Sequence, residues 1–210
     1  MRLIRSIFLL AITWAPLVLC DVQKSVLRTL DHIKPSASPE TQKDAAEGVI
    51  SRLLQPSQAA LFQVEIRNDL PQNTFQLIKD EDATVLQIRA SDGVSACKGF
   101  HHYLKYYLNC HVSWSGSQLH NFPAELPAIQ LQMTSSSRFI YHQNVCTWSY
   151  SFAWWTWREW QRHIDWMAMM GISLTIAPVQ EAIWTRIYRN LGLTDGEIDD
   201  HFAGPAFQAW

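Results

Sequence analysis

The chain has 210 residues, of which 48% are hydrophobic and 17% charged, with a formal net charge of -2. That length and apolar content support one or two domains with a proper core and exclude disorder as the default state. The near-neutral charge, with basic residues only in isolated pairs, excludes an electrostatic footprint for nucleic acid or anionic lipid.

The first twenty residues read as a secretory signal. Arg2 and Arg5 precede an apolar run from Ile7 to Cys20, interrupted by Pro16, with Val18 and Cys20 at acceptable cleavage positions before Asp21. The run is shorter than the roughly 20 apolar residues a spanning helix needs, so no membrane contact is expected after cleavage. A cleaved chain keeps Cys97, Cys110 and Cys146, an odd number, so at most one disulfide forms and cysteines do not staple the fold.

From Ser38, "SPETQKDAAEGVISRLLQ" supplies an N-cap serine, a proline at the first helical position, and apolar Ala46, Val49, Ile50, Leu53 and Leu54 at helical spacing. "LFQVEIR" then alternates Phe62, Val64 and Ile66 against polar neighbours, the pattern of a strand with one wet face. "TFQLIK" and "TVLQIRA" follow after turn chemistry, and three short strands in succession predict a meander. A helix follows Asp92, with Val94, Cys97, Phe100, Leu104, Tyr107 and Leu108 on one face, and "HVSW" resumes extended structure. Residues 21–114 thus form a small α+β domain. Residues 115–137 are rich in Pro and Ser and read as a linker, with one strand at Ile129 to Met133.

The second block, 138–210, changes rhythm. "RFIYHQNVCT" is an apolar-leaning strand. Thr156 and Glu159 form a capping box that begins a helix, and Trp155 is placed to staple onto Trp160. Trp157, Trp160, Ile164, Met167 and Gly171 repeat at helical spacing and predict the buried face, with Gly171 stopping the helix. "ISLTIA" predicts a buried strand, "QEAIWTRIYRNLG" a second helix ending at Gly192, and "TDGE" from Thr194 a third helix start. Strand and helix in alternation with short connections is the grammar of a parallel β/α fold. Two such units cannot close a barrel, which needs about eight and roughly 250 residues, so the sequence reads as truncated.

The segment from Cys146 to Trp160 holds five of the ten tryptophans. Trp157 and Trp160 are assigned to packing by their spacing. Trp148, Tyr150, Phe152 and Trp154 lie on the β/α loop, where parallel folds bind ligands, and two readings stay open: a pocket wall suited to the apolar faces of sugar rings, or a loop folded onto its own cluster. Asn144 and Cys146 point to one face near the carboxyl end of the first strand, and Gln180 and Glu181 occupy the corresponding place after the second. Cys146 by itself fits a small buried apolar residue better than a ligand contact, and Glu181 fits a charge favoured by a helix N-terminus equally. His101, His102, His111 and His120 follow no metal-ligand spacing, and the pair on the helix reads as surface or snorkelling histidines.

Taken together, "QNVCT", "SYSF.WW.W", "IDWMA..GI", "QEAIW" and "GPAF.AW", in that order, resemble the start of the catalytic domain of the α-N-acetylglucosaminidase family, and "CHVSWSGSQL" resembles the end of the preceding domain. The resemblance is dense from Arg138 to Trp210 and thinner upstream. It implies an α/β fold in which a small α+β domain precedes the first β/α units of a (β/α)8-type barrel. The implied activity is that of a lysosomal or secreted glycosidase that removes terminal α-linked N-acetylglucosamine from heparan sulfate with retention, without a cofactor or metal. Retention needs two carboxylates about 5 Å apart. The family takes both from later barrel strands, so this chain is expected to be inactive alone, and homo-oligomers are expected only of the full-length enzyme. By the same resemblance Asn144, Cys146, Tyr150, Glu181 and Trp210 would hold the sugar, Trp210 as the stacking surface. A non-catalytic carbohydrate-binding module is the alternative. Val179 after Pro178, Ser173 and Trp148 depart from the family pattern.

Overall fold

A helix opens the first block because its ends are sealed locally. In the computed structural model, α1 (Pro39–Leu53) begins at Ser38, whose hydroxyl accepts the Thr41 N–H at 3.1 Å, and buries Ala46, Val49 and Ile50 as the spacing predicts. The structure describes residues 33, 35–143, 150–176 and 181–202, with the side chain of Glu181 left out. The expected signal at 1–20 therefore lies outside the described residues, and everything below concerns the unit that begins at Ser38.

A short helix, α2 (Pro56–Ala59), leads into strands β1 (Phe62–Ile66), β2 (Thr74–Lys79) and β3 (Leu86–Ala90), then α3 (Gly93–Tyr107). These strands do not form the expected meander. The sheet order is β1-β3-β2-β6, where β6 is Ile129–Thr134. Strand β3 lies between the other two, parallel to β1 (Val64 opposite Ile88) and antiparallel to β2 (Leu77 opposite Ile88). The cause is the connection between β1 and β2, which is longer than the two to five residues of a hairpin and lets β2 pass to the far side. The stretch expected as a linker carries β5 (Ser117–Gln118), which pairs with β4 (His111–Val112), and β6, one residue longer than expected, which completes the sheet edge against β2.

One sheet face is covered by α1 and α3. Phe62, Leu77, Leu86, Ile88, Phe100, Tyr103 and Leu104 meet there, with the Phe62 and Phe100 rings edge to face at 5.0 Å. Gly99 brings α3 close: a Cβ there would sit 2.9 Å from the Phe75 ring. Asp92 caps α3 by accepting the Ser95 N–H at 2.7 Å, and the Gly93 N–H donates to Gln42 of α1 at 3.0 Å. His101, expected at the surface or snorkelling, is buried, with its ring 6.1 Å from that of His111. Cys97 and Cys110 are free and buried, and burial pushes the Cys97 thiol up to about 12, which leaves it inert.

The second block contributes β7 (Tyr141–His142), α4 (Trp157–Met169), β8 (Leu174–Thr175), α5 (Glu181–Asn190) and α6 (Asp195–His201). Strands β7 and β8 are parallel, as the alternation predicted, with Tyr141 opposite Leu174. Ser173 starts the pairing: its hydroxyl accepts the Ile140 N–H and its own N–H donates to the Ile140 carbonyl. Both helix stops are glycines of positive φ, Gly171 at +75° and Gly192 at +92°. Capping boxes form at Thr156 with Glu159 and at Thr194 with Glu197.

Two expectations of burial fail here. Strand β8 is exposed: Leu174 and Thr175 point to opposite faces of a two-stranded pair and both meet solvent. Of the expected stripe, helix α4 and its stop bury Met167 and Gly171 and half-bury Trp160, but not Trp157 or Ile164. Trp157 is 66% exposed and Ile164 is also exposed, while His163, Met167 and Met169 are buried. The helix has turned because its docking partner is the first block. Asp165 accepts two hydrogen bonds of 2.7 Å from Arg52 of α1, and the carbon Lys98 presents to Gly171 leaves no room for a Cβ.

Candidate functional site

The tryptophan-rich loop resolves into two populations. Phe152 is buried, its ring 3.9 Å from Trp155, 5.2 Å from Trp160 and 6.1 Å from Trp114. Trp155 lies edge to face on Trp160 at 5.2 Å, so the expected staple forms. Tyr150, by contrast, is 60% exposed and Trp154 is 77% exposed. The self-packed reading holds for Phe152, whereas Tyr150 and Trp154 present aromatic surface to solvent. Trp148 lies outside the described residues.

At the centre of the cluster is a residue that the sequence reading passed over. His163 of α4 is 1% exposed and stacked on Trp166 at 5.4 Å, with Phe152, Trp155 and Trp114 within 5.6 Å of its ring. Its Nε2 lies 3.0 Å from the Oε1 of Gln143, which is 6% exposed and directly follows β7. His142 packs against it, ring centroids 5.4 Å apart. Burial, and then the neighbouring His142, push the His163 pKa down to about 4, and burial also lowers that of His142. The ring is therefore neutral near neutrality, and since a carboxamide oxygen accepts, its Nε2 carries the proton. The signal was present in the sequence as Trp160, His163 and Trp166, three apart on one helical edge.

Because β7 and β8 are parallel, His142 and Thr175 end them side by side. That carboxyl end is where a parallel fold gathers ligand-binding groups. Of the expected site residues, Tyr150 stands exposed on the loop after β7, and Glu181 opens α5 with its side chain outside the description. Asn144, Cys146 and Trp210 lie outside the described residues. The carboxylates described in the second block include several held by structural bonds: Glu159 and Glu197 serve capping boxes, Asp165 binds Arg52, and Asp195 binds Arg189 at 2.7 Å. The Glu159 and Glu197 pKa values are lowered, by hydrogen bonds to Thr156 and Thr194 respectively, the opposite of what a general acid requires. Among the described residues no group of three or more His, Cys, Asp or Glu is placed to hold a metal.

This arrangement, a small α/β unit followed by two parallel strands and their helices, fits the opening of a parallel β/α fold. Residues 44–128 match the model of the alpha-N-acetylglucosaminidase (NAGLU) N-terminal domain and residues 140–210 that of its tim-barrel domain. The chain belongs to the alpha-N-acetylglucosaminidase family. It is 46% identical to human alpha-N-acetylglucosaminidase over 183 residues, which is 83% of this chain and 24% of the human one. A family 89 glycoside hydrolase from Clostridium perfringens, solved with 2-acetamido-1,2-dideoxynojirimycin, superposes with a TM-score of 0.70 at 28% identity, covering 82% of this chain and 20% of that one. The same bacterial enzyme has been solved with PUGNAc and with its substrate GlcNAc-alpha-1,4-galactose, at TM-scores of 0.70 and 0.69 and 29% identity. The chain thus spans about a quarter of the length of the human relative.

Proposed function

We propose that this chain is the sugar-recognising start of an α-N-acetylglucosaminidase, that it grips a terminal α-linked N-acetylglucosamine, and that it does not hydrolyse the bond by itself. The observation that carries the reading is the parallel β7–β8 pair with the exposed rings of Tyr150 and Trp154 on the loop after β7. Flat aromatic faces suit the C–H faces of a pyranose, and the polar groups Asn144, Cys146 and Glu181 would meet its rim, with Trp210 stacking on the ring. The relatives' ligands, an iminosugar with an acetamido group and a GlcNAc disaccharide, favour the same ring. Heparan sulfate is the proposed polymer, retention the proposed outcome, and the secretory pathway to the lysosome the proposed route, with residues 1–20 as its signal. The catalytic pair of carboxylates would come from elsewhere in the family's barrel.

The test is a titration of the purified chain with N-acetylglucosamine, followed by tryptophan fluorescence, alongside an assay with an aryl α-N-acetylglucosaminide. Saturable quenching without turnover is the expected result. Turnover above background would refute the missing pair, and a silent titration would refute recognition. A second reading, a secreted glycan-binding module, is favoured by the exposure of Tyr150 and Trp154, which needs no carboxylate to be useful. Binding retained by a chain that is the whole mature product would select it.

A further inference from the structure

The open sheet of the first block has two edges, and only one of them is guarded. On β1 the exposed Glu65 pairs with Arg67 at 3.2 Å and with Arg89 of β3 at 3.0 Å, and charges at an edge keep identical strands apart. On β6, "IQLQMT", no residue is charged and none is proline or glycine. Among the described residues β6 pairs with β2 alone, so its outer row of backbone N–H and C=O groups has no partner in the fold. Gln130, Gln132, Met133 and Thr134 are exposed, Met133 to 41%. Cross-strand partners share a face of the sheet. Leu131 and Met133 stand beside Leu77 and Phe75 on the side covered by the helices, and Gln130, Gln132 and Thr134 lie on the other side. On that other side one row crosses all four strands, from Glu65 to Arg89 to Gln76 to Gln132. Gln76 Nε2 donates to Gln132 Oε1 at 2.7 Å, and the row stops at the edge with the Gln132 amide N–H groups unused.

We propose that β6 is a docking edge for a second copy of this chain, the two strands pairing antiparallel about a two-fold axis at Gln132 and joining two four-stranded sheets into one. That register sets Met133 against the partner's Leu131 and Gln132 against the partner's Gln132. Apolar then meets apolar, amide donors meet amide acceptors, and no like charges face each other. A slip of one residue would set glutamine against an apolar side chain on both faces, so the alternation of the strand selects the register. In charge and in polarity the edge is its own complement, whereas a partner chosen for its charge would find none to pair with. The assignment goes beyond the family resemblance, which reserves homo-oligomers for the full-length enzyme, and it stands independently of the sugar-recognition reading.

The test is sedimentation equilibrium of the purified full chain, in which monomer should give way to dimer as concentration rises. A chain that stays monomeric up to about 1 mM overturns the proposal. Association that climbs past the dimer overturns it as well, because a two-fold pairing of edges closes. Gln132→Lys and Gln132→Glu each place like charges on the axis, and each should weaken self-association about tenfold or more while leaving the thermal melt of the monomer near that of the parent. Mixed in equal amounts, the two variants should form a dimer again, since lysine then faces glutamate. A mixture that stays monomeric contradicts the axis at Gln132. Dimers that persist in both single-variant solutions form through another surface, the exposed Ile183, Ile187 and Leu191 of the second block included, and refute the edge pairing. Met133→Lys keeps the test open if the Gln132 variants do not fold: it sets a charge against the partner's Leu131 and should dissociate the dimer, and a dimer that tolerates it overturns the proposal.

Discussion

Phe152 is buried against Trp155 and Trp160, while Trp157, from the same aromatic stretch, stands 66% exposed. Large-to-small changes at these two positions should therefore differ sharply. Phe152→Ala should cost about 3–5 kcal/mol, a transfer loss plus a cavity that rigid indole neighbours cannot fill. Trp157→Ala should stay within about 0.5 kcal/mol. Urea unfolding of both variants checks the contrast, and equal losses would contradict the placement of α4. Helical spacing alone had assigned Trp157 to the core. It failed because periodicity shows that a stripe exists, and not which stripe finds a partner: Trp114, lying forty-odd residues upstream in the other block, selects the edge marked by His163 and Trp166.

Elements whose causes are local were legible in the sequence. Ser38, Thr156 and Thr194 begin helices, and Gly171 and Gly192 end them, because capping boxes and positive-φ glycines act within one turn. Strand existence was legible too. Strand order was not, since alternation fixes which face of β1 is wet but leaves its neighbour free, and the long connection between β1 and β2 admits the parallel β1–β3 pairing. The contact between α3 and β2 makes a prediction at this scale. Gly99→Ala pushes a methyl group into the Phe75 ring, and although alanine favours helices, overpacking should prevail and destabilise by about 1–3 kcal/mol. A thermal melt that rises for this variant would contradict the close helix–sheet approach.

For the molecule as a whole, two neutral histidines set an acid limit. Burial, followed by the neighbouring His111 and Lys105, pushes His101 down to about 4, and His163 reaches a similar value beside His142. Each has a folded pKa below its unfolded one, so between about pH 6.5 and pH 4 the unfolded chain binds more protons. Stability is then complete above about pH 6.5, falls as pH drops toward 4, and loses nothing further from these groups below that. Each contributes up to roughly 3 kcal/mol, at about 1.4 kcal/mol per pKa unit. Thermal melts stepped from about pH 7 to about pH 4 should show this decline, and a His101→Gln, His163→Gln double variant should flatten it. An unchanged slope would show that the rings titrate normally.

The proposed sugar site was legible only as a resemblance plus a location. Two parallel strands, with exposed aromatic rings on the segment after the first, give the location, but nothing in Asn144, Cys146 or Glu181 alone distinguishes a ligand contact from a buried thiol or a helix-end charge. The polar contact of His163 was hidden for a further reason, since an imidazole between tryptophans at helical spacing reads as packing until its bond to Gln143 is seen. The measurement that bears most directly on the central claim is amide chemical-shift mapping of the intact chain on addition of N-acetylglucosamine. Perturbations should concentrate at Asn144 to Tyr150, Glu181 and Trp210. Shifts confined to the sheet of the first block, or scattered without a common surface, would contradict it.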